Sequence, residues 1–127
     1  MTPWLQYLIA FVVGCHGLTY IPFGLCVPDN LTEWRRSSWL LGSSITGDRL
    51  KALVLTVHVM AGIATLACAV AIGFAPGWWR LLAIIGGAAG IGAFVVFWDG
   101  QARLLAEEGG IGAFLSLILI VSGIAFA

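Results

Sequence analysis

Four stretches of this chain carry no charged residue at all: 1–28, 52–79, 81–98 and 109–127. A helix crosses the hydrocarbon of a bilayer in about 20 apolar residues, so each stretch is long enough to hold one crossing. The rest of the composition leaves no other solvent for them. Of 127 residues, 61% are hydrophobic and 9% charged, with a mean hydropathy of +1.03. A water-soluble domain carries about a quarter charged residues. So few charges cannot build a wetted surface over this much apolar area, and lipid is the expected solvent.

The predicted fold class is all-α: a single membrane-embedded domain, a four-transmembrane-helix bundle of antiparallel up-down topology. The spans are expected at about Trp4–Ile21, Leu50–Phe74, Trp78–Trp98 and Gly110–Ala127, with one long loop over 23–49. Local punctuation agrees with these limits. Thr2-Pro3 suits a helix start, and Pro22 falls where the first span is expected to stop. Thr46-Gly47-Asp48 offers a cap before the second. Ala75-Pro76-Gly77 reads as a tight turn between the second and third, and Asp99-Gly100 closes the third. Trp4, Tyr7, Tyr20, Trp34, Trp39, Trp78, Trp79 and Trp98 fall near predicted span ends, where amphipathic rings favour the headgroup region.

Charge sets the expected direction. Arg35, Arg36, Arg49, Lys51 and Arg103 lie on the side of the two longer loops, and only Arg80 lies with the termini. Basic residues mark the cytoplasmic side, so the reading is a multi-pass inner-membrane protein with both longer loops cytoplasmic and both termini outside. "VVGC" at 12–15 has the look of a box preceding a lipid-modified cysteine. A secretory signal carries a positive n-region, however, and no Lys or Arg precedes Arg35. An uncleaved first span is expected.

Several function classes fall away. Nucleic-acid binding needs a basic stripe to displace counterions, and net charge here is zero. Three cysteines (Cys15, Cys26, Cys68) with no CxxC spacing argue against a disulfide framework or a dithiol centre. They read as small hydrophobes.

In lipid, helices associate through small residues that let backbones approach. Gly86 and Gly90, and Ala89 and Ala93, are spaced four apart on the third span. Gly112 and Ser116 are so spaced on the fourth, and Gly14 with Gly17 form a flatter patch on the first. These faces suit packing within the bundle, and a homo-oligomer seam uses the same pattern.

Two ionisable residues lie deep in spans, His16 and His58, and such residues are functional candidates because they are costly in lipid. Each stands about eight residues from the cytoplasmic end of its span, roughly 12 Å deep at the rise of a helix. At that level they face one another across an antiparallel pair. The bland reading is a neutral imidazole bonded across the bundle to a carbonyl or to Thr19, Thr56, Thr65 or Ser116. The sharper readings are a small-molecule or proton site, or axial ligation of haem. Zinc wants three or four ligands. Cys15 points about 100° from His16, and Cys68 stands about 15 Å further along its span. Trp98 and Asp99, at the cytoplasmic end of the third span, are candidates for a gate; Asp99 lies about 12 Å from the pair, too far to coordinate.

The order "HGLTYIPFG", "SSWLLG", "GDR", "WWRLLA" and "WDGQ" resembles a family of small four-helix bacterial integral membrane proteins. Some of its members carry an ABC transporter permease label, although four spans without a coupling helix are too little for that role. The resemblance runs over nearly the whole chain and covers His16, Gly17, Leu18, Gly24, Trp78, Trp79, Trp98 and Asp99. It implies a four-helix fold and no particular reaction. The chain departs from the pattern at Tyr20, where the family often has a second histidine. In size alone it is also similar to quinone-associated four-helix proteins.

Three functions compete on these grounds. The first, toward which the sequence leans, is a non-enzymatic bundle that binds membrane lipid, another hydrophobic small molecule or a membrane partner. The second is a redox or proton-handling protein that uses the histidine pair with haem or quinone. The third is a small transporter subunit, oligomeric, with His16, Thr19, Thr56 and His58 along its path.

Overall fold

The computed structural model of the chain describes residues 2–25, 38–42, 44–45, 47–75, 77–98 and 109–125. These form four α-helices: α1 (Pro3–Leu25), α2 (Gly47–Phe74), α3 (Trp79–Phe97) and α4 (Gly110–Ala125). Among the described residues there is no strand, only an isolated bridge between Ser38 and Gly42. The first three helices are each long and apolar enough to cross a membrane. α4 is as apolar but shorter, with 16 residues, about 24 Å of rise. Residues 126–127, included in the predicted fourth span, lie outside the described residues.

Large apolar side chains remain exposed on every helix, including Trp4, Phe11, Met60, Val70, Leu81, Phe114 and Val121. Soluble monomers do not present apolar surface on this scale. The pattern fits a bundle whose outer faces meet lipid.

One helix limit differs from the sequence expectation. α1 does not stop at Pro22 but runs one turn further, with the proline inside it. Proline withholds one N–H and crowds the preceding turn, but membrane helices tolerate it where neighbours compensate. The extra turn lies closely against α2. A Cβ placed on Gly24 would stand 3.1 Å from His58 Cβ and 3.5 Å from Leu55 Cα. The start of α2 is also earlier than predicted, at Gly47, whose φ of +60° is a conformation that suits glycine.

Helices adjacent in sequence are the ones that pack: α1 on α2, α2 on α3, and α3 on α4. The approach of α1 to α2 is through bare backbone. A Cβ on Gly17 would lie 3.1 Å from Leu66 N, and one on Gly62 would lie 3.1 Å from Gly17 O. Gly14 faces Ala69 at the same seam. On α3, Gly86 lies against Thr65 of α2, while Gly87 lies against Ser116 and Ile120 of α4. Gly123 of α4 in turn meets Arg80 and Ile84. Gly14, Gly17, Gly86, Gly87 and Gly123 thus lie against neighbouring helices of the same chain. Ala93 is buried and Ala89 half-buried.

Two apolar clusters fill the interior. One joins Val13, Cys68, Ala69, Ile72, Ala83 and Leu119. The other joins Leu50, Val54 and Phe97, with Leu41 and Ile45 packed on it. Along α2, the buried polar residues His58 and Thr65 fall between the two clusters.

The described part of the long loop closes the end of α3. Trp98 is extended (φ −65°, ψ 143°) and its N–H donates to Phe94 O. The last carbonyls of a helix lack intrahelical donors, and here the loop supplies them. Ser38 Oγ donates to Val96 O, Trp39 Nε1 to Val95 O, and Trp39 N to Trp98 O at 3.4 Å.

Candidate functional site

His16 is held by what its neighbour does. Gly17 lies flat on α2, and one residue of helix turns the direction by about 100°, which carries His16 off the α1–α2 seam. The imidazole is 7% exposed, and its Nε2 stands 3.3 Å from Ser116 Oγ of α4. Tyr20, one turn later on the same face, has its ring centroid 5.1 Å from that of His16. Its hydroxyl is 2.7 Å from Ser116 Oγ and 3.4 Å from His16 Nε2. The third wall is Gly90 of α3, where any Cβ would fall on the Tyr20 hydroxyl and Ser116 Oγ. Only glycine leaves room for the three polar groups to meet.

Tyr20 also reaches the second histidine, with ring centroids 6.3 Å apart. His58 is 4% exposed and packs on Phe97 at 5.8 Å. Its Nδ1 lies 2.8 Å from Val54 O. A carbonyl only accepts, so Nδ1 carries the proton and donates. The interior therefore holds a row of four rings, His16, Tyr20, His58 and Phe97, drawn from three helices.

Beside this row is a cavity of about 480 Å³, within the range of small-molecule sites. His16, Thr19, Tyr20 and His58 give it polar groups, while Phe23, Phe94 and the start of α4 give it apolar walls. Among the described residues no Lys, Arg, Asp or Glu lines it. The cavity exists because α1 and α4 do not pack along their length as the other neighbouring pairs do. Val12 and Cys15 of α1 and Ile111 of α4 line it and are exposed, so it opens sideways between those two helices.

The remaining candidates fall as follows. Thr19 lines the cavity and its hydroxyl donates to His16 O at 2.7 Å. Thr56 is exposed, does not line the cavity, and donates to Ala52 O at 2.8 Å. Trp98 stacks on Phe94, a wall of the cavity, at 6.1 Å and 19°. Its indole Nε1 is buried with no partner among the described residues. Asp99, the other half of the predicted gate, lies outside the described residues. Among the described residues no cluster of three or more His, Cys, Asp or Glu is placed to hold a metal.

Tyr20 is the correction. The sequence placed it near a span boundary with its ring at the headgroups, whereas it is 7% exposed with its hydroxyl inside the bundle. The extension of α1 past Pro22 puts it a turn deeper than the predicted end. Its spacing of four from His16 is the signal that marks the shared face.

No family model, curated protein or solved structure matches this chain.

Proposed function

We propose that this protein is a non-enzymatic, four-span, up-down bundle of the inner membrane. It binds a lipid-like or other hydrophobic small molecule in the cavity between α1 and α4. The carrying observation is the cavity itself: about 480 Å³, with largely apolar walls and a sideways opening between helices whose outer faces are apolar. A ligand dissolved in the bilayer enters such a site without crossing water.

The up-down arrangement is supported by the contact pairs. Gly14, Gly17 and Gly24 of α1 meet Ala69, Leu66 and Leu55 of α2 in falling order. Gly87 and Arg80 of α3 meet Ser116 and Gly123 of α4 in the same reversed sense. With five of six basic residues near the longer loops, the positive-inside rule puts those loops in the cytoplasm and the termini outside. Membrane-impermeant labels at engineered cysteines at positions 2 and 125 should then react from the same, outer compartment.

Native mass spectrometry of protein taken gently from its membrane tests the binding reading. Retention of a small hydrophobic molecule at one per chain is the expected result. A chain that emerges bare, with no extractable lipid above background, overturns it.

The contact of Tyr20 with both imidazoles favours a second reading, a proton-handling or redox protein with quinone or haem. An absorption spectrum and a cofactor extract of the same preparation decide it. A colourless protein with no quinone in the extract rejects this reading.

A further inference from the structure

Three side chains meet beside the cavity, His16 and Tyr20 lining it and Ser116 fully buried next to them. With the imidazole in its neutral form, each brings one proton to donate. Their mutual contacts, at 2.7, 3.3 and 3.4 Å, form a triangle. The triangle cannot absorb all three protons, because an imidazole carries its proton and its lone pair on opposite edges. With the proton on Nδ1, one hydroxyl donates to Nε2 and the other to its fellow hydroxyl. The Nδ1–H is then left over. With the proton on Nε2, the imidazole donates to one oxygen and one hydroxyl donates to the other. The second hydroxyl then has nowhere in the triangle to donate.

No other described residue takes up the excess. His16 bonds through Nε2 alone among the described residues. Thr19, Thr56 and Thr65 each donate to a carbonyl of their own helix, but Ser116 has only Tyr20 and His16 as partners among the described residues. His16 is more than nine-tenths buried and lines the cavity. An unmet donor in such a place costs about 1–3 kcal/mol.

We infer that the cavity takes a molecule with a carbonyl oxygen on an uncharged, apolar body. The oxygen accepts the excess proton of the His16–Tyr20–Ser116 cluster, and the body leaves between α1 and α4. The inference rests on the cavity being a binding site and adds the chemistry of what it holds. Carboxylates and phosphates suit the site less well, because among the described residues no Lys or Arg lines the cavity to offset a buried anion. A plain hydrocarbon leaves the donor unmet. Two natural sources share the required chemistry, an acyl ester and a ring quinone.

The test uses the full chain in nanodiscs with two probes of equal length, a long-chain methyl ketone and the corresponding alkane. One net hydrogen bond corresponds to roughly two- to tenfold in affinity. The ketone is therefore expected to bind by that factor more tightly, with its labelled carbonyl stretch shifted to lower frequency. The combined variant His16→Leu, Tyr20→Phe, Ser116→Ala should bind both probes equally and show no shifted band. Should that variant not fold, the ketone-to-alkane ratio and the carbonyl band of the wild type still decide. Equal binding by the wild type overturns the carbonyl assignment and leaves the cavity reading intact. Binding of neither probe overturns both. A diacylglycerol and an isoprenoid quinone are then offered as displacers of the ketone. Displacement by one names the source, and displacement by neither rejects the assignment.

Discussion

Replacing Gly90 with alanine adds one methyl group at the point where α1, α3 and α4 share their polar contact. That methyl would lie on the Tyr20 hydroxyl and Ser116 Oγ, and 3.0 Å from Tyr20 Cζ, closer than side-chain carbons approach. Tyr20 must swing away or α3 must shift. Overpacking of this kind costs about 1–3 kcal/mol, and the lost Tyr20–Ser116 bond adds about 0.6 kcal/mol on the membrane scale. Alanine returns up to about 1 kcal/mol as the better helix former. The net expectation for Gly90→Ala is a loss of about 1–3 kcal/mol, together with weaker ligand retention. Gly92, two residues along the same helix, has nothing within 4 Å of its would-be Cβ. Gly92→Ala should be neutral or stabilising by up to about 1 kcal/mol. Denaturation in mixed micelles, followed by helical circular dichroism, measures both. If Gly90→Ala unfolds at the same denaturant fraction as Gly92→Ala, the three-helix contact described above is wrong.

Other outcomes follow from single contacts. Gln6→Leu removes the side-chain amide that donates to Ile72 O at 2.6 Å and should lower stability by about 1 kcal/mol, read in the same titration. Trp39→Phe removes the indole donor to Val95 O; faster amide exchange confined to the last turn of α3 is expected. In a Cys26→Ser background, a small maleimide in detergent should label exposed Cys15 and spare buried Cys68. Because Cys15 lines the cavity, bound ligand should slow its labelling, and peptide mapping reports both rates.

The helices were largely legible because charge and glycine-proline punctuation act locally: Asp48 and Arg49 at one end of α2, and Phe74 before the Ala75 turn at the other. Pro22 misled because its penalty is local while the contact of Gly24 with α2, which keeps the helix going, is not. His16 and His58 stood out as ionisable residues in apolar runs, and both are cavity walls. The partnership of Tyr20 with Ser116 spans 96 residues, and nothing near either residue in sequence specifies it. The cavity was least legible of all. It arises from α1 and α4 failing to pack, and a missing contact leaves no periodicity to read.

Ser38 and Trp39 grip the carbonyl end of α3, and this ties the long connection to the bundle at a definite point. Severing the backbone or inserting a tag tests how much this tie matters. The same operation between 38 and 42 strips Val95, Val96 and Trp98 of their donors. Trp98 rests on Phe94, a cavity wall, so fraying begun there reaches the cavity. For anyone designing split or fluorescently tagged versions of this protein, residues 38–42 are the ones to leave whole.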